Sequence, residues 1–184
     1  MIIIKKIILF LTIIILCVPN YSSAKIITDN TGLITFNTSN QWYLTSFGTD
    51  AATDELISIA YDKNTGIKVT KSKYQTKYKN LRSVSDSEKS MLRDSLIKYY
   101  LDMFRAKGYT CIDSDAEYTK DNIQLFYIIK KNGQVGRIAT ISYIKNYIVY
   151  SVTAFCDDKT CNETAKVLDT LKFDGIDFDE WAIK

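Results

Sequence analysis

Asp113, Asp115 and Glu117 recur at every second position, so on an extended strand three carboxylates would share one face. Clustered acids of this kind can hold calcium or pass a proton between them. The opposite face, Ile112, Ala116 and Tyr118, reads as a core face, which makes the acids the wet side of an antiparallel strand. The acids near the end, Asp174, Asp177, Asp179 and Glu180, lack the odd-position spacing and the glycine of a calcium loop. No histidine occurs among the 184 residues. This removes Ser–His–Asp and Cys–His nucleophiles, His-ligated zinc and imidazole proton shuttling near neutral pH. A carboxylate-pair or lysine-based enzyme remains open, and a carboxylate-dependent hydrolase on the Asp113 face is the enzymatic alternative carried forward. No catalytic residue, cofactor or metal ligand is expected.

The richest charge feature runs from Lys63 to Arg82. It holds Lys63, Lys68, Lys71, Lys73, Lys77, Lys79 and Arg82, with Asp62 the acid beside them and Tyr74 and Tyr78 interleaved. Bases among aromatics can stack on nucleobases, sit at a lipid interface or meet an acidic protein. Lysines along a strand edge also guard it against aggregation. The expected contact surface is Lys71, Lys73, Tyr74, Lys77, Tyr78, Lys79 and Arg82, facing a protein or an anionic envelope component and not nucleic acid. Trp42 and the tyrosines Tyr143, Tyr147 and Tyr150 allow a second reading, an aromatic cleft in a small-ligand or carbohydrate carrier. Trp181 reads as a pin for the C-terminal tail.

The address of the protein bears on both readings. Lys5 and Lys6 precede the apolar run Ile7–Val18, and Ser22-Ser23-Ala24 follows, the pattern of a secretory signal peptide over residues 1–24. A run of about twelve residues is short for a membrane span. Cys17 stands where a lipoprotein would be acylated, but Leu16 before it is large for that peptidase. The expected mature protein is a single domain over residues 25–184, periplasmic or secreted, with no transmembrane segment left after cleavage. Without Lys5 and Lys6, 22 bases face 21 acids, which gives no general case for nucleic-acid or membrane binding.

Cys111, Cys156 and Cys161 remain after cleavage. In an exported chain they are expected to pair. Cys156 and Cys161 flank the polar turn Asp157-Asp158-Lys159-Thr160, and a disulfide there would contribute roughly 2 kcal/mol in the chain-entropy model. Cys111 is then left as a buried thiol.

The elements follow from periodicity. Strand patterns cover Gly32–Asn37, Trp42–Phe47, Glu55–Tyr61 and Gly66–Lys71. From Ser85 to Lys107, Leu92, Leu96, Tyr100 and Met103 fall at helical spacing, widened by Ile97, Leu101 and Phe104. Ser85 and Glu88 form a capping box, and Gly108 is a stop. Cys111–Thr119, Ile123–Lys131 and Gln134–Ile144 read as strands, the last two around the hairpin pair Asn132-Gly133. Tyr147–Phe155 reads as another strand, and a second helix is expected over residues 160–172. The chain is α+β, an antiparallel sheet flanked by helices.

This order of patterns resembles the PsbP-like domains, exported proteins that include an extrinsic photosystem II subunit. The likeness rests on Gly32–Phe36, the Trp-bearing Trp42–Phe47, the Asn132-Gly133 hairpin, Tyr150–Phe155 and Val167–Phe173, and spans residues 32–173. It implies an α/β/α sandwich and an accessory or binding role without catalytic residues. It transfers no role to any residue, and the Cys156/Cys161 pair and the acidic tail are departures from it.

Overall fold

The computed structural model describes residues 24–48 and 51–174. The leader with Cys17, and the tail with Asp177, Phe178, Asp179, Glu180 and Trp181, lie outside the described residues. Chain order is β1 (Lys25–Thr28), β2 (Ile34–Thr38), β3 (Tyr43–Leu44), β4 (Thr53–Asp62), β5 (Thr65–Ser72), a 3-10 turn (Leu81–Ser83), α1 (Asp86–Ala106), β6 (Thr110–Tyr118), β7 (Asn122–Lys131), β8 (Gln134–Lys145), β9 (Ile148–Cys156), α2 (Cys161–Leu168) and β10 (Lys172–Phe173). Seven strands form one antiparallel sheet in the order β3-β4-β5-β9-β8-β7-β6, and β1-β2-β10 form a second. Two of the hairpins turn on pairs of left-handed residues, Asn132-Gly133 (φ 51° and 80°) and Asn146-Tyr147 (φ 50° and 68°). Such pairs match the twist of the strands they join.

Register sorts the side chains into two cores. Residues directly paired across strands share a face. Leu125, Thr140, Thr153 and Lys68 stand in one such row. Gln124, Ile141, Val152 and Val69 form the adjacent row on the reverse face. On the first face α1 and the 3-10 turn bury Phe104, Leu81 and Val84 against Ile123, Leu125, Tyr127 and Ile129. On the reverse face Trp42, Phe36, Ile59, Ile67, Val152 and Phe173 pack with Val167 and Leu168 of α2. The layers are therefore a helix, the large sheet, and a mixed layer in which α2 lies with the small sheet. This is the expected α+β sandwich.

The long helix is set by its ends. Ser85 caps it, its Oγ accepting from the Glu88 amide at 3.3 Å and donating to the Glu88 carboxylate at 2.9 Å. Gly108 takes φ +76° just beyond the last turn, a conformation that is cheap for glycine. Three local expectations are corrected, and two strands are added to those expected. Strands β1 and β10 pair with β2, although neither short segment alternates enough to read as a strand alone. The strand expected over Trp42–Phe47 keeps only Tyr43–Leu44, because Trp42 turns into the core. The second helix ends at Leu168, short of residue 172, and the chain then turns to deliver Phe173 to β2. A register shift between Cys111 and Asp113 throws Ile112 outward, 56% exposed, and turns Cys111 toward α1. Ile112 is therefore not a core residue.

Candidate interaction surface

Beyond β5 the chain does not dangle; residues 73–85 form a strap fastened along one end of the sheet. The Lys73 amide donates to Ala52 O at 2.8 Å and the Thr76 amide to Tyr147 O at 2.7 Å. The Tyr147 amide returns a bond to Lys79 O at 3.4 Å, and Asn80 bridges to Lys145. Ser72 and Tyr74 close a local turn, Ser72 Oγ donating to Tyr74 O at 2.7 Å. The strap thus runs beside the β8–β9 turn. It carries Tyr74, 68% exposed, two residues before the Thr76 amide that bonds Tyr147, itself 43% exposed. Tyr147 holds a left-handed φ of 68°, uncommon for a bulky residue.

The charges of the strap are mostly paired. Lys71 and Lys73 share Asp54 at 3.9 and 3.7 Å. Arg82 grips Asp121 with both Nε and Nη2. Lys77 Nζ donates to Glu88 at 3.1 Å and lies 4.7 Å above the Tyr78 ring, and the Tyr78 hydroxyl donates to the same carboxylate oxygen at 2.7 Å. Lys79 has no ion-pair partner among the described residues. Five cations (Lys71, Lys73, Lys77, Lys79 and Arg82) therefore face three carboxylates (Asp54, Glu88 and Asp121), a net +2. The pairs are solvent-exposed, so each holds little free energy and exchanges readily for an incoming anion. Sequence spacing places the cations, but not their partners, which come from β4, α1 and the β6–β7 turn. It also did not bring Tyr147 to the strap, a juxtaposition made by the β8–β9 turn.

Glu88 fastens the strap to the helix. Hydrogen bonds from Tyr78, Lys77 and Ser85 hold its carboxyl down from the ordinary 4.5 to about 2. A group depressed on folding adds stability that is fully present above its unfolded value and is lost as pH falls through its folded value. Glu88 therefore contributes above about pH 4.5 and loses that contribution toward pH 2. Urea midpoints of native protein and Glu88→Gln should differ near neutrality and converge as pH falls across this window. A constant difference would mean the carboxylate charge is not what fastens the strap.

The other candidate residues fall apart as sites. Asp113 and Asp115 are exposed and accept from the next residues' amides, Ser114 N at 2.9 Å and Ala116 N at 2.8 Å. Glu117 is exposed beyond them, so the three do not converge on a shared proton or ion. Among the described residues no group of three His, Cys, Asp or Glu is placed to hold a metal. The aromatic cleft is filled. Trp42 is 0% exposed with its ring edge-on to Tyr61 at 5.7 Å. Tyr143 is buried, and Tyr150 packs against Phe173. Cys156 and Cys161 are joined as a disulfide, beside a buried Thr65–Thr160 hydroxyl contact of 2.8 Å that ties the start of α2 to β5. The Cys111 thiol donates to Asp113 O at 3.2 Å, and burial pushes its pKa up, away from a reactive thiolate.

Comparisons with known proteins add a fold-level likeness. No family model matches the chain, and no curated protein matches it. Among solved structures it is similar to the PsbP protein CyanoP of Synechocystis sp. PCC 6803, at 9% identity over 84% of this chain and 94% of that one, TM-score 0.49. It is also similar to the Saccharomyces cerevisiae Ran-binding protein Mog1p, at 11% identity over 83% of this chain and 96% of that one, TM-score 0.43. A Bacteroides thetaiotaomicron VPI-5482 structure matches at 10% identity over 85% of this chain and 50% of its own, TM-score 0.41. A PsbP protein, of the family that residues 32–173 resemble, is among them. At these scores the likenesses carry no argument about function. No helix among the described residues is long and apolar enough to cross a membrane, which says nothing of strands.

Proposed function

We propose that the chain is an exported, non-enzymatic interaction protein, a single domain over residues 25–184 acting in the periplasm or outside the cell. Its partner is an acidic protein of the envelope, met by Lys71, Lys73, Tyr74, Lys77, Tyr78, Lys79 and Arg82. The observation that supports this reading is the strap itself. It sets surplus cations around two solvent-facing tyrosines on backbone fastened to the β8–β9 turn. Aromatic anchors ringed by exchangeable charge suit a protein contact, and a backbone already fixed loses little entropy on binding.

The test is affinity capture from the envelope fraction with residues 25–184 as bait. A second bait carries Lys71→Glu, Lys73→Glu, Lys77→Glu and Lys79→Glu. A partner retained by the native bait and lost from the folded variant supports the surface. The same partner on both baits refutes it. Retention of an anionic polymer in place of a protein moves the assignment to an envelope component.

A further inference from the structure

Strand β6 closes one side of the large sheet and pairs only with β7 among the described residues. A free edge presents amides and carbonyls to any extended chain. Here the Ser114 and Ala116 amides are taken by the carboxylates of Asp113 and Asp115, groups that are exposed and able to swing away. Helix α1 lies chiefly over this strand. Its Glu88 flank reaches inward across the sheet to Tyr78. At about 100° per residue, Ile97 and Leu101 stand on the opposite flank of the helix, half-buried against the core beneath α1. Toward solvent the helix surface continues from Ile97 and Leu101 into Asp94, Lys98, Asp102 and Arg105.

We propose that the β6 edge is a strand-accepting surface for an extended segment with Lys or Arg at alternate positions and apolar residues between them. In the docked arrangement the incoming carbonyls take the Ser114 and Ala116 amides. Asp113 and Asp115 turn to the incoming cations, which Glu117 on the same face also meets. The alternate apolar side chains lie on the α1 face, toward Ile97 and Leu101. Main-chain bonds supply adhesion and the alternating charge supplies selectivity, the usual division in strand addition. A second copy of this chain is the wrong occupant, since edge-to-edge pairing would bring two sets of these acids together. The surface is separate from the strap, so the two proposals stand or fall independently.

The test is fluorescence anisotropy of residues 25–184 with a labelled eight-residue peptide of alternating Lys and Val. Two other peptides accompany it: one alternating Glu and Val, and the Lys/Val peptide N-methylated along one edge. The Lys/Val peptide should bind, each of the others about tenfold or more weakly. Asp113→Asn with Asp115→Asn keeps an oxygen to cap each amide while removing the charge. It should weaken Lys/Val binding by about tenfold without lowering the unfolding midpoint. The four-lysine strap variant should bind the peptide as the native protein does. Equal binding of the N-methylated peptide would overturn strand addition. Equal binding of the Glu/Val peptide, or an unaffected Asp113/Asp115 variant, would overturn the charge selection.

Discussion

Trp42→Ala should lower the unfolding free energy by about 3–5 kcal/mol, the range for deleting a fully buried aromatic. The indole is 0% exposed and belongs to the core formed with Phe36, Ile59, Ile67 and Leu168. Its removal empties a site whose walls come from both sheets and α2, so collapse around it is limited. The indole nitrogen is buried without a partner. Trp42→Phe should therefore cost much less, because the volume lost is partly offset by removing an unsatisfied donor. Urea denaturation of the two variants checks this. A Trp42→Ala protein within about 1 kcal/mol of native would place the ring at a cleft rim after all.

Gly66→Val should be the next most damaging change. Gly66 is in β5, paired with Ala60 on one side and Phe155 on the other. A Cβ there would meet Phe47 Cζ at 2.7 Å, Ile59 O at 2.8 Å and Phe155 Cζ at 2.8 Å. The two rings stand edge-to-face with centroids 4.8 Å apart, close over the glycine. Phe47 is 37% exposed and can swing off, but the carbonyl belongs to the neighbouring strand and moves only if β4 moves. Overpacking of this kind costs about 1–3 kcal/mol. Adding Phe47→Ala to Gly66→Val should restore only part of the loss, as judged by the same urea midpoints. Full restoration would mean that the ring, and not the strand backbone, sets the limit.

Elements with long, uninterrupted periodicity were legible in the chain. Helix α1 was readable because its apolar stripe, its Ser85–Glu88 cap and Gly108 all agree. The β7–β8 hairpin was readable because Asn132-Gly133 sits between two alternating runs. Strands β1 and β10 were not, since each is a few residues that become strand only by pairing with β2 across most of the chain. The shift at Cys111 escaped because alternation assumes an unbroken register, and one extra residue reverses the assignment of Ile112. The candidate surface was half legible. Its cations are consecutive enough to notice, but Asp54, Glu88 and Asp121 are brought to them by three different elements. Trp42 could be read as the wall of a cleft, since a tryptophan in a strand pattern does not tell which side is filled; its burial and packing against Tyr61 make it core.

The role of the strap stands on whether a partner sits there. The most direct measurement replaces Tyr74, and separately Tyr147, with a photo-crosslinking benzoyl-phenylalanine in the producing cells. A control carries the same group at Lys166, an exposed position of α2 near the far end of β5. One crosslinked adduct is expected, common to positions 74 and 147 and absent at 166. An adduct at 166 with none at 74 or 147 would contradict it.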